Sequence, residues 1–375
     1  MSTIRSRVNA RTRNHLCLSL IRGVGPRIRQ ALLEYFGSPE AVLTASTTEL
    51  VAVTGVGAKL AQRIASARQQ IDVDHELAVC ESGGVTIVMD TDEGYPRLLR
   101  EIHDPPGILF VRGALQVEDS LCIAIVGTRH ATRYGTQQAS RFAAGLVRAG
   151  FTIVSGLARG IDAAAHRGAL EANGRTLAVL GSGVLNVYPP EHADLANDIA
   201  RQGAVISELP PKMPPMSGSF PQRNRLVTGI SLGVIVVEAA ERSGALISAG
   251  HAVDQGREVF AIPGRIDNRV ARGTHRLLRD GAALVESVDD VLEQLGPLVE
   301  TLTLPSGEPL QHPAELMLND QEKRVFHAIP DTGTSIDQLV VTSGLPVHRV
   351  LSTISVLEMR KLVVRVSGQH VTRHA

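Results

Sequence analysis

Short apolar runs alternate with longer amphipathic stretches through the centre of the chain. The runs are rich in valine, isoleucine and leucine and predict strands at 85–89, 108–112, 121–126, 151–155, 176–180, 204–207, 234–237 and 258–262. Helical stretches at 136–149, 162–172 and 244–255 lie between them. Apolar strands that alternate with helices predict a parallel, doubly wound α/β sheet, with its ligand site at the carboxyl ends of the strands.

A near-repeat of helix, glycine hairpin and helix occupies the first 80 residues. The segment 21–27, IRGVGPR, precedes a helical stretch at 28–36, and the segment 53–59, VTGVGAK, precedes another at 60–68. Glycines permit the tight turn, and the helix that follows directs backbone N–H groups outward, where they can hold a phosphate. The pattern resembles a paired helix-hairpin-helix, or SAM-like, domain at 1–80. It fits either non-specific contact with a DNA backbone or a small helical domain that packs on its neighbour.

The C-terminal segment, 315–375, has the pattern of a winged-helix domain. Helical stretches at 320–329, 335–342 and 347–359 precede two short apolar strands, 362–366 and 371–373. The second and third helices, joined at 344–346, would form a helix-turn-helix and the strands its wing. The segment 297–314 shows no convincing period and is interpreted as a linker, which leaves 81–296 for a Rossmann-like, mostly parallel sheet domain.

Length and composition fit a soluble protein of two or three domains. The chain has 375 residues, of which 43% are hydrophobic and 20% charged. No apolar run approaches the ~20 residues that span a bilayer, and the N-terminal segment has no apolar signal core. Cys17, Cys80 and Cys122 have no ligand-like spacing. These features predict a cytoplasmic protein without membrane contact or export.

Any site for a polyanion must be local, because the 38 basic and 38 acidic residues balance. The global basic excess that is common among nucleic-acid binders is therefore missing. Only four of the basic residues are lysines. The rest are arginines, whose planar guanidinium group can bind phosphate in a bidentate manner.

Loops with glycine, serine and arginine follow the predicted strands. They are 126–129 (VGTR), 155–162 (SGLARGID), 181–183 (GSG), 220–225 (FPQRNR) and 243–248 (SGALIS). Glycines let a backbone approach a phosphate, helix N-termini offer N–H groups, and arginines supply neutralising charge. The predicted polyanion site comprises Gly127, Arg129, Ser155, Gly156, Arg159, Asp162, His166, Gly181, Arg223, Asn224, Arg225, Ser243, Gly244 and Ser248.

Asp162 and His166 each allow two interpretations. Asp162 stands at the start of the helix that carries His166, so a capping role is preferred over a catalytic one. His166 is either a side chain that contacts a base or a phosphate, or a structural histidine with satisfied hydrogen bonds.

Motifs for cofactors, ATP and metals are missing from the sequence. The first βα turn, GTRHATRYG at 127–135, lacks the G-x-G-x-x-G spacing, and the GSG at 181–183 is a weak match by itself. The chain has no G-x-x-x-x-G-K-[ST] loop, and its 13 histidines form no H-E-x-x-H motif or array with paired cysteines. We expect no dinucleotide cofactor, no P-loop ATPase activity and no metal.

An ordered series of motifs resembles the DprA/Smf family. The series includes VGTR at 126, SGLARGIDAAAH at 155, TLAVLGSGVLNVYPPEH at 176, FPQRNRLVTGIS at 220 and GTHRLLRDGA at 273. It spans about residues 95–290, and longer members also carry SAM-like and winged-helix domains. The resemblance implies a homodimer that binds single-stranded DNA in a basic pocket and helps load the RecA recombinase onto it during DNA uptake, natural transformation and recombination. No catalytic step belongs to that description.

This chain departs from some members of that family at two positions. Those members carry lysines where this chain has Pro190 and Ser217, which puts phosphate contacts there in doubt. Either Arg223 and Arg225, or Lys212, compensate for the missing lysines, or the binding is weaker. Aromatic residues are 3% of the chain and tryptophan is absent. We therefore expect backbone charge and pocket hydrogen bonds to dominate over base stacking, and the affinity to fall steeply with salt.

Two other functions stay open. Related Rossmann-like folds, such as the LOG phosphoribohydrolases, bind or hydrolyse nucleotides with a Pro-Gly-Gly-x-Gly-Thr loop, but this chain has ERSGAL at 241–246 in the corresponding region. Alternatively, the terminal domains bind proteins only. The winged helix carries Arg349, Arg360 and Lys361, a modest charge for a surface that contacts duplex DNA.

Overall fold

The computed structural model of this protein describes residues 10–300, 320–330, 333–359, 362–367 and 370–373. Its contacts divide the chain into two compact units, Met1–Val147 with Phe151–Val291, and Arg148–Gly150 with Leu292–Ala375. No helix within these described ranges is long and apolar enough to cross a membrane. The predicted linker residues 301–314 lie outside the described residues, as do Arg360 and Lys361. The predicted domain boundaries stay predictions.

The first unit begins with small helices that form the two predicted hairpins. Gly23 (φ 101°) and Gly55 (φ 87°) adopt the left-handed conformation that these turns require. A side chain at Gly55 would also meet Ile28, because an ideal Cβ there lies 2.7 Å from the Ile28 Cδ1 atom. The apolar positions face a shared core that includes Leu32 and Ile64. The helices are α1 (Ala10–Leu20), α2 (Pro26–Phe36), α3 (Pro39–Thr44), α4 (Thr47–Val51), α5 (Ala58–Gln70) and α6 (Val73–Ser82).

In the described part of the first unit, nine strands form one sheet in the order β1-β2-β6-β5-β4-β3-β7-β8-β9. The seven strands from β6 to β9 in this order are parallel, and β1 and β2 extend the β6 edge in antiparallel pairing. The strands are β1 (Val85–Met89), β2 (Ile108–Gly113), β3 (Cys122–Val126), β4 (Thr152–Ser155), β5 (Thr176–Val179), β6 (Ala204–Ser207), β7 (Gly233–Val236), β8 (Glu258–Ala261) and β9 (Ala283–Leu284). The prediction of a mostly parallel, doubly wound sheet is confirmed.

Helices cover both faces of the sheet. Along β5, Leu177 and Val179 belong to one apolar cluster, whereas Ala178 belongs to the cluster on the opposite face. This alternation follows from the two-residue period of a strand that is buried on both sides. The helices that follow α6 along the chain are α7 (Arg97–Arg100), α8 (Arg133–Arg148), α9 (Ile161–Glu171), α10 (Ala193–Gln202), α11 (Ser219–Gly229), α12 (Gly244–Asp254), α13 (Arg272–Arg279) and α14 (Val288–Glu300).

Three of these elements differ from the expectation. The segment 220–225, predicted as a loop, lies within α11. Helix α14 continues through residues 297–300, where the linker was predicted to begin. Strand β9 has two residues, too few to show a hydrophobic period in the sequence. Every predicted strand of the central sheet is present.

A buried ion pair joins the N-terminal helices to the sheet. The Arg29 Nη1 atom lies 2.7 Å from the Asp90 carboxylate, and the Arg29 side chain is 8% exposed. The guanidinium group also lies 3.1 Å from the His15 Nδ1 atom. Arg29 packs so closely on Gly107 that an ideal Cβ there would be 2.0 Å from its Nε atom. Removing one partner of such a buried pair is costly, since the other charge is left uncompensated.

The described residues of the second unit have the predicted winged-helix pattern. Helices α15 (Asp320–His327), α16 (Ile336–Ser343) and α17 (Val347–Met359) pack around an apolar core that includes Phe326, Leu339 and Ile354. Gly344 ends α16 in the left-handed conformation (φ 64°) and forms the turn of the helix-turn-helix. Strands β10 (Thr334–Ser335), β11 (Val363–Ser367) and β12 (His370–Arg373) form an antiparallel sheet in the order β10-β12-β11.

Candidate functional site

An open cavity of about 570 Å³ lies at the carboxyl ends of β3 and β4 and the loop after β7. From β3 the chain proceeds to β4, β5 and β6 on one side and then returns to β7 on the other. The loops that leave β3 and β7 therefore diverge, which opens a crevice at the point where ligands bind in doubly wound sheets. We call this cavity the candidate site.

Nine of the fourteen predicted site residues line the candidate site. They are Gly127, Arg129, Gly156, Asp162, Arg223, Asn224, Ser243, Gly244 and Ser248. The other five, Ser155, Arg159, His166, Gly181 and Arg225, are not part of its lining. The loops after β3, β4 and β7 converge as the sequence predicts, although the exposure of several side chains differs from the expectation.

The turn after β3 places an exposed arginine over an aromatic ring. Gly127 has no room for a side chain, because an ideal Cβ would lie 2.5 Å from the Ile161 Cγ1 atom and 2.9 Å from the Glu238 carbonyl oxygen. This close packing fixes the turn from which Arg129 extends. The Arg129 guanidinium carbon lies 5.5 Å from the centre of the Phe220 ring, within cation–π range. Arg129 is therefore an oriented and exposed positive charge at the cavity.

Asp162 ties the loop after β4 to the start of α9. Its Oδ2 atom accepts hydrogen bonds from the backbone N–H groups of Gly156 (3.2 Å) and Ala158 (3.3 Å). Burial raises the pKa of this carboxyl, and nearby Arg223 opposes the rise. The predicted N-cap role is wrong: Gly160 occupies the N-cap position of α9 without a side-chain cap, and Asp162 lies inside the first turn. The carboxylate binds the preceding loop instead.

Arg223 is a buried part of the cavity wall rather than an exposed charge. Its side chain crosses Gly156 so closely that an ideal Cβ there would lie 1.7 Å from the Arg223 Nη1 atom. The same Nη1 atom donates a hydrogen bond to the Val179 carbonyl oxygen at 2.6 Å. Arg223 is 5% exposed, and burial lowers the pKa of its guanidinium to about 10. One of its donors is therefore already used, and its charge is buried near the Asp162 carboxyl.

Helices α11 and α12 form the opposite wall of the cavity. Asn224 donates from Nδ2 to the Gly244 carbonyl oxygen at 3.3 Å, and the Ser243 hydroxyl caps α12 by accepting from the backbone N–H of Ala245 at 3.3 Å. Gly244 faces open space, since nothing lies within 4 Å of an ideal Cβ at this position. The positive end of the α12 dipole is therefore accessible to an anion.

Arg225 and Arg159 do not supply the free charge that was predicted for them. The Arg225 side chain is 8% exposed and forms ion pairs with Asp104 and Glu208. Its Nη1 atom also donates to the Asp104 carbonyl oxygen at 2.7 Å. Arg159 is exposed but pairs with Glu191. Arg225 is thus neutralised in a buried pair, and Arg159 forms an exposed pair; both lie outside the candidate site.

Ser155, His166 and Gly181 make contacts within the fold and do not line the cavity. The Ser155 hydroxyl is fully buried and donates to the Ile125 carbonyl oxygen at 2.6 Å. Gly181 leaves room for the Phe220 ring, because an ideal Cβ at position 181 would lie 2.9 Å from the Phe220 Cδ1 atom. The Thr176 hydroxyl donates to a backbone carbonyl, so His166, 2.7 Å away, donates to it from Nδ1. Burial lowers the pKa of His166 to about 3, which keeps the ring neutral.

Comparison with protein families identifies the chain. The family model described as DNA recombination-mediator protein A matches residues 86–296, which is more than half of the chain. The chain belongs to this family, DprA/Smf. The model of a SAM-like helix-hairpin-helix tandem matches residues 18–70, and the DprA winged-helix model matches residues 309–369. The predicted fold class and the family resemblance are confirmed.

Known DprA/Smf proteins are similar over most of the chain. The protein Smf of Synechocystis sp. is 34% identical over 389 residues, covering 96% of this chain and 98% of that protein. The X-ray structure of DNA processing protein A from Streptococcus pneumoniae matches with a TM-score of 0.65 and 35% identity, covering 76% of this chain and 96% of that one. A structure of DNA processing protein A from Helicobacter pylori, described by its single-stranded DNA binding mode, has a TM-score of 0.51 and 31% identity over 56% of this chain and 95% of that one.

Within this DprA/Smf fold, the sequence reasoning missed Phe220 as a site residue. Its ring lines the cavity and packs against Tyr188 with 5.6 Å between ring centres. The FPQRNR motif at 220–225 was interpreted as a loop. Proline is nevertheless tolerated in the first turn of a helix, and Pro221 occupies the first turn of α11. The apolar positions Leu226, Val227 and Ile230 at helical spacing were the signal for this helix. Ser217 also lines the cavity.

Proposed function

We propose that this protein binds single-stranded DNA in the candidate site without catalysing a reaction, and that it helps load RecA onto the strand during DNA uptake, natural transformation and recombination. The observation that carries the proposal is the cavity of about 570 Å³ between the diverging loops that leave β3 and β7. This cavity combines an exposed arginine, an aromatic ring and an accessible helix N-terminus. Membership in the DprA/Smf family supports the same function.

The cavity offers separate groups for the phosphate and for the base. Arg129 and the open N-terminus of α12 at Gly244 can share a phosphate, since both present positive charge to the same space. The Phe220 ring at the cavity can stack on a base, a contact worth ~1–3 kcal/mol in single-strand binders. Because the base would be stacked rather than read at its edge, we expect little sequence preference. Duplex DNA, whose bases are already stacked, should bind more weakly.

The buried charged groups around the cavity fix the shape of the cavity and do not add phosphate contacts. Arg223 and Asp162 carry opposite charges and lie against the same loop, so they largely offset each other at a distance. Arg225 is neutralised by Asp104 and Glu208. The salt dependence of binding should therefore depend on Arg129 and not on the buried arginines of the FPQRNR motif.

The test compares binding of labelled oligo-dT and of the matching duplex at several salt concentrations. Arg129→Gln removes the exposed charge, and Arg201→Gln, an equally simple change at a side chain that is 72% exposed in α10, is the control. We expect the wild type and Arg201→Gln to prefer the single strand, and the slope of log affinity against log salt to decrease by about 0.7 in Arg129→Gln. Equal slopes in all three proteins would contradict the role of this cavity.

The partners and the assembly form the second part of the proposal. We infer from family membership a homodimer in the cytoplasm, built from SAM-like (1–80), Rossmann-like (81–296) and winged-helix (315–375) domains. Adding the protein should shorten the lag of RecA-dependent ATP hydrolysis on single strands coated with a single-strand-binding protein, and light scattering should give twice the 40.0 kDa of one chain. An unchanged lag would contradict RecA loading, and a mass of one chain would contradict the dimer.

A further inference from the structure

The two glycine hairpins near the N-terminus carry a cluster of positive charge, in a part of the fold that does not line the candidate site. Residues 10–70 contain eight basic and three acidic residues, within a chain whose formal net charge is zero. Four basic side chains that lie in or soon after the hairpins are exposed: Arg22, Arg27, Lys59 and Arg63. We call these four side chains and the two hairpins the hairpin surface. Charge clustered in this way is the electrostatic signature of a site for a polyanion.

The two hairpins pack against each other in a reciprocal way. An ideal Cβ at Gly23 would lie 3.3 Å from the Leu60 Cδ1 atom, and one at Gly55 would lie 2.7 Å from the Ile28 Cδ1 atom. Positions 23 and 55 are 32 residues apart, as are positions 28 and 60, so each turn contacts the start of the helix that follows the other turn. Two copies of a unit that exchange the same contact are related by a local two-fold axis. The hairpins therefore lie on either side of this axis and at the same level along it.

The backbone hydrogen bonds of the hairpins repeat with the same spacing. In each hairpin the N–H of the second valine, Val24 or Val56, donates to the carbonyl oxygen three residues earlier at 3.0 Å. A further hydrogen bond joins the two hairpins, because the Arg63 Nη1 atom donates to the Arg22 carbonyl oxygen at 3.2 Å. The basic side chains of both hairpins are thus brought together on one surface of the domain.

Arg27 and Lys59 occupy equivalent positions that are unfavourable for a cation. Each stands in the first turn of its helix, α2 or α5, and neither helix has an acidic residue in that turn. The positive end of a helix dipole repels a cation and favours a carboxylate. The neighbouring helices α3 and α4 follow this rule, with Glu40 and Glu49 in their first turns. A local rule that is broken twice at equivalent positions is typical of a functional site, and a bound anion would offset the repulsion.

The hairpin surface is open and its charge is not neutralised. Within the ranges that the structure describes, no ion pair involves a side chain of the hairpin surface. The N-cap residues of α2 and α5, Gly25 and Gly57, form no side-chain cap, and nothing lies within 4 Å of an ideal Cβ at either position. An anion can therefore approach the basic side chains and the first backbone N–H groups of both helices together.

We propose that the hairpin surface binds the phosphate backbone of duplex DNA, with one hairpin on each strand. The two antiparallel strands of a duplex are themselves related by local two-fold axes, so a two-fold protein surface can make the same contact with both. The segments 21–28 and 53–63 contain no aromatic residue, which leaves no ring to stack on the bases of a single strand. Binding therefore uses phosphates and shows no sequence preference. This inference goes beyond the proposed function and does not depend on it.

The test measures binding of the full-length protein to a labelled blunt duplex of about 20 base pairs, or two turns of B-DNA, over a range of salt concentrations. Arg27→Gln/Lys59→Gln removes the two equivalent charges. The matched control, Arg11→Gln/Arg68→Gln, removes two exposed arginines of the same domain. Arg68 lies about two and a half turns after Lys59 on α5, and Arg11 lies about as far before the end of α1 that precedes the first hairpin.

We expect the slope of log affinity against log salt for the duplex to be smaller by about 1.8 in the hairpin variant than in the wild type, from about 0.9 for each of two phosphates. Over a tenfold rise in salt, the wild type should then lose about 60-fold more affinity than this variant. Oligo-dT should bind equally to both proteins, because the candidate site is unchanged. The control should match the wild type on both ligands.

A charge-reversed variant separates binding from folding. Arg27→Glu/Lys59→Glu places carboxylates at the positive ends of two helix dipoles, so its midpoint in urea denaturation should equal or exceed that of the wild type. Its binding to the duplex should nevertheless be lost, because the carboxylates repel phosphates. A lower midpoint would contradict the unfavourable placement of the two cations, and duplex binding that survives the reversal would contradict the site.

The other results that would overturn the inference differ from a failure of the proposed function. An unchanged salt slope in the glutamine variant would remove the hairpin surface from duplex binding. The same loss in the control would reduce the effect to overall charge, and an equal loss with oligo-dT would assign the surface to the path of the single strand. If the wild type bound the duplex but not oligo-dT, the inference would stand and the proposed single-strand binding would fail.

Discussion

Gly156→Ala should disrupt the candidate site through a single methyl group. An ideal Cβ at this position lies 1.7 Å from the Arg223 Nη1 atom and 2.3 Å from its Cζ atom, far inside van der Waals contact. The backbone itself tolerates alanine, because Gly156 is not among the residues with positive φ. Arg223 must therefore move and give up its hydrogen bond to the Val179 carbonyl oxygen. Gly244→Ala, on the same cavity, adds its methyl group to open space.

The expected cost of Gly156→Ala is about 3 kcal/mol of unfolding free energy. A lost hydrogen bond to a charged group is worth about 1.5–3 kcal/mol, and overpacking costs about 1–3 kcal/mol; partial movement of the guanidinium into the cavity recovers some of this. Urea denaturation measures the difference, with Gly244→Ala expected to stay within about 1 kcal/mol of the wild type.

A double-mutant cycle isolates the contact between Gly156 and Arg223. In an Arg223→Met background the guanidinium group is gone, so Gly156→Ala should cost much less than in the wild type. If Gly156→Ala costs as little as Gly244→Ala, or costs the same in both backgrounds, the proposed packing of Arg223 on Gly156 is refuted.

Three further changes test other parts of the structure. Arg225→Ala should cost about 3–5 kcal/mol of stability in urea denaturation, because Glu208 and Asp104 lose their partner; a cost below 1 kcal/mol would show that the pair is not structurally important. Burial lowers the pKa of His166 to about 3 from its usual 6.5, so the unfolded chain binds the proton more strongly and stability should fall as the pH drops from 6.5 toward 3. In His166→Gln this fall should be smaller, and an identical pH profile would contradict the neutral, buried ring. Phe220→Leu should weaken oligo-dT binding by about tenfold, as expected for one lost stacking contact, without a change in salt slope; a reduced slope would assign Phe220 an electrostatic role instead.

The fold could be predicted because its signals are local. Runs such as 121–126 are apolar at every position, which is typical of a parallel strand that is buried on both faces. The glycines at 23 and 55 predict the turns of the two GVG hairpins, and the structure has positive φ at both positions. Strand β9 was not predicted, because its two residues are too few to show a hydrophobic period.

The exposure of the site arginines could not be predicted, because it depends on distant residues. Arg223 donates to a carbonyl 44 residues away, and Arg225 to one 121 residues away. The two side chains are two positions apart on α11 and so point to different sides of the helix. Both are buried because α11 packs on nearly all sides, with Leu226, Val227 and Thr228 also buried. Of the four predicted arginines, Arg129 is the one that is both exposed and part of the cavity lining, whereas Arg159 is exposed outside it.

Photo-crosslinking of a single strand tests the central claim most directly. Oligo-dT that carries 4-thiothymidine would be bound to the full-length protein, irradiated and digested, and the crosslinked peptides would be identified by mass spectrometry. The account predicts crosslinks on the cavity segments 127–130 and 217–224, with Phe220 the principal site. Crosslinks confined to the N-terminal hairpins around Gly23 and Gly55, or to the winged helix at 336–359, would contradict it.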